Sequence, residues 1–384
     1  MYHLVGRWRT KLCAEQARVR IRRDVPSFEA LLPEAMQIRE AFGIAMPVYV
    51  WVNQNLTRMH SVLEALKWSG YTYVEPVAGQ LQGSDPDGSK QIVQQDKTCP
   101  DVLIFPSHVR ENLQASPLIS EGHLVLQDKS QCLGPQSVLC LFEAGDDVLV
   151  VPGCSFPTLA HLCSLLPSWQ SHIFVCQPSE DPARTTLNAM CQRLHCKGIT
   201  LLPEQFLSLA PGDQRLARVS IVLVMPPCSA SGINNPVNFI LQEGIDPETL
   251  PNLCLATTAT EEKLAQLSKQ QLQLLQHAMC LSGPRAIVYN TCSVYEAENE
   301  DVVHTALEIA RTDSRINTYQ LGPPVLFPWK MDEFGDARES FLKLPFPGAE
   351  WQLHSCALTA GTFKHVNWTQ TPAVKSIHNA FFFL

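Results

Sequence analysis

The chain has 384 residues, of which 45% are hydrophobic and 17% charged, and its formal net charge is −8. That balance fits a folded protein of two or three domains. It excludes a disordered tail and a uniformly basic nucleic-acid binder, but leaves room for a local basic patch.

No apolar run reaches the roughly 18–20 residues that span a bilayer, and the opening MYHLVGRWRTKL lacks the apolar stretch of a secretory signal. The 14 cysteines are too sparse for a disulfide scaffold and include no C-x-x-C pair. They are expected to be buried or reactive thiols of an intracellular protein, with no metal centre and no membrane contact.

The first 23 residues carry Arg7, Arg9, Lys11, Arg18, Arg20, Arg22 and Arg23 against one acid, Glu15. This pattern reads either as a solvated helix face or as a surface that meets phosphate. VYVWVN (48–53) then reads as a strand, and a helix is expected over 58–69 with Leu63, Leu66 and Trp68 on its apolar face and Gly70 at its end. YTYVEP reads as the next strand, giving a small β-α-β unit. Residues 79–100, rich in Gly, Ser, Asp and Pro, are expected to be a flexible insertion before DVLIF (101–105) resumes a strand. Residues 1–115 thus form a smaller N-terminal α/β region with a basic leading helix.

From about 116 short apolar runs alternate with longer amphipathic segments: DVLVV (147–151), HIFVC (172–176), ITLL (199–202), SIVLVM (220–225) and AIVY (286–289). Strands apolar on both faces, alternating with helices at this spacing, predict an α/β fold with a doubly wound, largely parallel sheet over 116–384. Ligands of such sheets bind beyond the carboxyl ends of the strands. The loops to watch are therefore 151–158, 177–181, 203–205, 226–232 and 290–300.

Two of these loops set a Cys-Ser pair just past a central strand: PPCS (226–229) and TCS (291–293). Together with VYVWVN, QDKSQCLGP (127–135) and above all IVYNTCSVYEAENEDVV (287–303), they resemble the Sun-domain (Fmu/RsmB-type) family of RNA cytosine-5 methyltransferases. The divergence is most like that of the seventh, atypical member of the vertebrate set. The resemblance implies a Rossmann-like methyltransferase sheet, S-adenosyl-L-methionine as methyl donor and RNA as partner. It also implies a covalent mechanism. Carbon 5 of cytosine is a poor nucleophile, and a thiolate adding to carbon 6 turns the ring into an enamine that attacks an electrophilic methyl group. By this resemblance Cys292 is the nucleophile, Cys228 assists release, and the base leaves any stack to reach them.

The donor side departs from the family pattern. Where the family reads D-x-C-A-A-P-G-G-K, this chain reads VVPGCSFPT, with Val150 for the acid, Phe156 and Pro157 for the glycines and Thr158 for the lysine. Gln177 stands for the acid that holds the ribose diol. Glu204 matches the acid after the third strand, and Met225 replaces the aspartate of D-x-P-C-S-G. Each lost hydrogen bond to a charged group is worth roughly 1.5–3 kcal/mol, so two or three such losses weaken donor binding by roughly two to six powers of ten. An enzyme with a rebuilt pocket, a site completed by a protein partner, and a non-catalytic RNA-binding or scaffold protein all fit this pattern.

Smaller departures accompany these. Trp51 occupies an arginine position of the family and is expected either in the core or against a base. Lys129 is a candidate phosphate contact, and Glu296, Glu298 and Glu300 read as acids at a helix start.

Overall fold

The computed structural model describes residues 2–26, 29–31, 46–75, 90–152, 155–169, 171–177, 183–233, 239, 261–313, 316, 319–322, 355–359 and 381–383. The chain divides into two units, 1–46 and 47–384. In the first, the basic run forms helix α1 (Tyr2–Arg23). Lys11, Arg18, Arg20, Arg22 and Arg23 are exposed, Arg18 pairs with Glu15, and Lys11 lies over the ring of Trp8.

In the second unit, VYVWVN becomes β1 (Val48–Val52), whose alternation serves two cores. Val48, Val50 and Val52 join Val62, Leu66, Leu103 and Phe105 in one apolar cluster, whereas Trp51 joins another. Helix α2 (Met59–Trp68) covers the first face through Val62 and Leu66. Trp68, expected on that face, is 92% exposed. It follows Leu66 by two residues, about 200° around the helix, and so points away from the buried stripe. Gly70 ends α2 at φ +90°, a backbone shape that favours glycine.

The strand after α2 is short, β2 (Thr72–Tyr73), and it pairs in parallel with β3 (Ile92–Gln95) rather than with β1. β3 lies within the segment expected to be a flexible insertion, of which residues 79–89 fall outside the described residues. β4 (Val102–Phe105) and β5 (Leu124–Leu126) flank β1 antiparallel, so the sheet runs β2-β3-β4-β1-β5. The first sheet therefore takes its last strand from beyond 116, where the second domain was expected to start.

The regular apolar runs form β6 (Asp147–Val151), β7 (Ile173–Cys176), β8 (Ile199–Leu202), β9 (Val219–Val224) and β10 (Ala286–Asn290). All five are parallel. With β11 (Gln320–Gly322), β12 (Ser355–Thr359) and β13 (Phe381–Phe383) the sheet order is β11-β12-β13-β10-β9-β6-β7-β8, and β13 lies antiparallel to β10.

Both faces of this sheet are covered. Val148, Val150, Ile221, Leu223 and Val288 pack with residues of α3 (Lys129–Leu141) and α4 (Phe156–Leu165) and with Trp51. Leu149, Val151, Val222, Val224, Ile287 and Tyr289 pack with α6 (Glu261–Cys280) and α7 (Glu300–Thr312), α5 being Ala183–Arg193. Two-sided burial is why these strands read as unbroken apolar runs. The sheet order places β7 on one side of β6 and β9 on the other. Sheets of this kind take their ligands beyond the strand ends at such a topological switch, here the ends of β6 and β9. Among the described residues no helix is long and apolar enough to cross a membrane.

Candidate active site

β9 and β10 are neighbours in register, with Tyr289 opposite Val224, so the loops that leave them run side by side. This brings Cys228 and Cys292 together. The Cys292 backbone N–H donates to Cys228 Sγ at 3.3 Å, and the Gly232 N–H donates to the Cys292 carbonyl at 2.8 Å. Both cysteines are half-buried, and Cys292 packs against Ala230 and Ile233. From α3, the Gln131 side-chain amide donates to Cys292 Sγ and so fixes where that sulfur sits. Ala230, where the family has glycine, holds φ +54°.

A fully buried carboxylate ties the two loops together. Glu298 Oε1 accepts from the Ser229 backbone N–H at 2.8 Å and from Gln271 Nε2 at 2.9 Å, while Oε2 accepts from the Ser293 hydroxyl. Gln271, on α6, also donates to the Pro227 carbonyl at 3.0 Å. The Tyr289 hydroxyl donates to the Glu298 carbonyl at 2.8 Å, and burial together with Cys228 and Glu298 pushes that phenol well above its ordinary value. Asn299 completes the arrangement by donating to the Ser293 carbonyl at 3.0 Å. Of the acids expected at a helix start, Glu300 takes that place, whereas Glu298 lies just before it and is buried. It closes a short 3-10 turn, and α7 begins two residues later, with Glu300 and Asp301 in its first turn. Behind the site, α3 approaches β10 so closely that a Cβ on Gly134 would lie 2.9 Å from Asn290 Nδ2.

The donor side differs in character. Ser155 caps α4, accepting from the Thr158 N–H at 3.3 Å. Thr158, at the family's lysine position, is buried. It accepts from Gln127 Nε2 at 2.7 Å, and Gln127 in turn accepts from Trp51 Nε1 at 2.8 Å. Phe156 and Met225 are half-buried against one apolar cluster. Gln177 continues β7, with its N–H on the Leu202 carbonyl at 2.9 Å. Glu204 faces Arg215 at 3.0 Å, which also holds Asp213 at 2.7 Å. Burial and Glu204 push the thiol of Cys176, at the end of β7, up to about 12.

S-adenosylmethionine carries an ammonium, a sulfonium and a ribose diol. A family-type cradle meets them with acids at the exits of β6, β7 and β9. At those positions this chain has Val150, Gln177 and Met225, Phe156 stands for a glycine, and the carboxylate of Glu204 is already paired. The residues present do not fit that cradle.

Two further expectations resolve. Trp51 is a core residue, fully buried and stacked on His161 with ring centroids 4.8 Å apart and planes 11° apart, so it does not offer its face to a base. Lys129 Nζ sits 2.7 Å from Asp96 Oδ2, committed to that buried acid rather than free for phosphate. Burial alone would raise Asp96, but Lys129 and hydrogen bonds from Thr98 outweigh it and hold the carboxyl below its ordinary value. Sequence reasoning missed Gln131, Gln271 and the buried role of Glu298. The E-x-E-N-E run carried a signal for Glu298, and QDKSQ a fainter one for Gln131. Gln271 sits mid-helix with no local mark.

A Rossmann-like sheet with two cysteines brought together at the exits of adjacent strands is the arrangement that the resemblance to cysteine-dependent RNA methyltransferases implies. Residues 46–127 match the ferredoxin-like domain of NOL1/NOP2/Sun domain family member 5. The chain is 30% identical over 372 residues to the 28S rRNA (cytosine-C(5))-methyltransferase of Mus musculus, covering 94% of this chain and 70% of that protein. It is 35% identical over 342 residues to the NSUN7 proteins of Mus musculus and Homo sapiens, covering 89% of this chain and 46% of each. The chain therefore spans about half the length of those relatives. A crystal structure of a methyltransferase homolog protein from Pyrococcus horikoshii aligns with a TM-score of 0.52 at 17% identity, covering 75% of this chain and 76% of that one, and shares the fold. The chain belongs to the NOL1/NOP2/Sun-domain family of RNA cytosine-C5 methyltransferases, enzymes whose methyl donor is S-adenosylmethionine.

Proposed function

We propose that this chain engages a cytidine of RNA through Cys292, with Cys228 as the assisting thiol, in a cytosine-5 methyltransferase site whose donor cradle is degenerate. The observation that carries the reading is the contact of the Cys292 backbone with Cys228 Sγ at 3.3 Å in loops clamped by Glu298. Cys292 sulfur adds to carbon 6, electron density moves to carbon 5, and Gln131 holds the sulfur in place. Cys228, beside it, is set to take part in removing the carbon-5 proton that frees the product. A methyl donor is not met by Gln177, Met225 and the paired Glu204 as in a family-type cradle; a protein partner that supplies acidic groups there would restore it.

The exits of β7 and β9 favour a second reading. With Gln177 and Met225 where the family has acids, the same cleft serves a catalytically inactive protein that binds RNA or acts as a scaffold. Retention of RNA by a Cys228→Ala chain separates the two. The enzyme reading expects a protein–RNA adduct that survives denaturation and disappears in the Cys228→Ala, Cys292→Ala double variant. RNA that binds the Cys228→Ala chain but washes off it under denaturing conditions, as it does from the double variant, supports the inactive reading and overturns the first.

A further inference from the structure

Remote from the paired cysteines, three thiols converge at the carboxyl end of α5. The Cys196 N–H donates to the Cys191 carbonyl at 2.8 Å across His195, which holds φ +55°. With the His195 N–H on the Gln192 carbonyl at 3.3 Å, this six-residue closure is a Schellman helix end, which sets the side chains of its first and last residues on the same side. Here both are cysteines. From α4, Cys163 meets the next residue: its Sγ lies 3.3 Å from the Lys197 N–H and 3.1 Å from the Lys197 carbonyl. Interaction with the Cys196 side chain holds the Cys163 and Cys191 thiols below their ordinary values, while that of Cys196 is raised.

Cys163 is buried, but Cys191 and Cys196 are half-exposed. They line a shallow pocket of about 440 Å³ with Asn188, Gln192, His195 and Lys197. Among the described residues no group of three or more His, Cys, Asp or Glu side chains is arranged to hold a metal ion.

We propose that Cys191 and Cys196 form an oxidant-sensitive dithiol, a modification site separate from the candidate active site and taking peroxide as its reactant. Cys191, reached from the pocket, attacks the peroxide. The O–O bond breaks, one oxygen stays on sulfur as a sulfenic acid, and the other leaves with the thiol proton as water. Cys196 sulfur then displaces the sulfenic oxygen. An S–S bond replaces the S–O bond, and a second water carries off the Cys196 proton. Two thiols lose two electrons and two protons, and one peroxide becomes two waters.

The site sits where the two sheets meet. Asn53, just past β1, donates to the Leu194 carbonyl at 3.0 Å, and the Gln54 N–H donates to Ser164 Oγ at 2.8 Å. The disulfide therefore closes the segment whose Leu194 carbonyl holds Asn53.

Arg193 lies between the two cysteines, so trypsin separates them unless a disulfide holds the fragments together. The test is non-reducing peptide mass mapping of the full chain after graded peroxide. The expected result is a linked pair of the Cys191 and Cys196 peptides, formed before the exposed Cys13 is modified, absent in Cys196→Ser and slowed in urea. Separate peptides at a peroxide dose that oxidises Cys13 overturn the proposal. So does a link from Cys196 to Cys163, or a link that forms equally fast in the urea-unfolded chain, a comparison that needs no folded variant.

Discussion

Glu298 is the residue whose loss reveals most about how the cysteine loops are held. It is fully buried and accepts from three donors on three segments: the Ser229 N–H, the Gln271 amide and the Ser293 hydroxyl. Alanine leaves all three without their acceptor in a dry site. At about 1–3 kcal/mol for each buried unsatisfied group, with relaxation removing part of the sum, the expected loss is about 3–5 kcal/mol. Glutamine keeps the shape but turns one acceptor oxygen into an NH2 that faces a donor, and is expected to cost about 1–3 kcal/mol. Urea unfolding at constant m measures both. The loops beside the clamp should loosen before the molecule unfolds, so alkylation of Cys228 and Cys292 in Glu298→Gln should quicken severalfold while the rate at exposed Cys13 stays fixed. If both variants unfold within about 0.5 kcal/mol of the parent and the two cysteines alkylate at parental rates, the clamp is not what sets the site.

Ala230→Gly relieves a Cβ held at φ +54°. Against glycine's greater freedom in the unfolded chain, a net gain of about 0.5 kcal/mol in urea stability is expected, and a loss would contradict the strain. Asp96→Asn leaves Lys129 largely buried without its counter-ion, and a loss of about 3–5 kcal/mol at neutral pH is expected. Because the folded Asp96 value lies below the unfolded one, this contribution is fully present above the unfolded carboxyl value near 4 and fades as pH falls through the folded one. The parent and Asp96→Asn unfolding curves should therefore converge in acid, and a difference independent of pH refutes the pairing. Met225→Asp restores an acid at the exit of β9. Calorimetric titration should show S-adenosylmethionine binding roughly ten- to a hundredfold tighter than to the parent, and unchanged affinity means that the methionine is not what weakens the cradle.

The central sheet was legible because burial on both faces writes unbroken apolar runs, as in DVLVV and SIVLVM, and each run became a parallel strand. The first sheet was less so. β2 keeps only two residues of the YTYVEP run, β3 sits inside a polar, glycine-rich stretch that masks its strand signal, and the pairing of β2 with β3 depends on contacts far apart in sequence. Trp68 misled because apolar character does not fix angular position at a helix end, whereas Val62 and Leu66 share one face. At the site, the Cys-Ser pairs marked the right loops, since strand exits in a parallel sheet converge. The clamp was not legible in the same way: a buried glutamate has the same letter as a solvated one, and Gln271 reaches the site only because α6 packs across β9 and β10. The three-thiol cluster was equally hidden, because a Schellman helix end, not sequence spacing, brings Cys191 to Cys196.

On the proposed reading Cys292 engages a pyrimidine ring beside a donor cradle with fewer acids than the family pattern. RNA carrying 5-azacytidine tests both halves at once, because it traps the covalent adduct after methyl transfer. An adduct is expected that maps to Cys292 by mass, vanishes in Cys292→Ser, and saturates only at donor concentrations on the order of a hundredfold or more above those of relatives with intact acids. An adduct on another cysteine, no adduct at any donor concentration, or saturation at micromolar donor contradicts it.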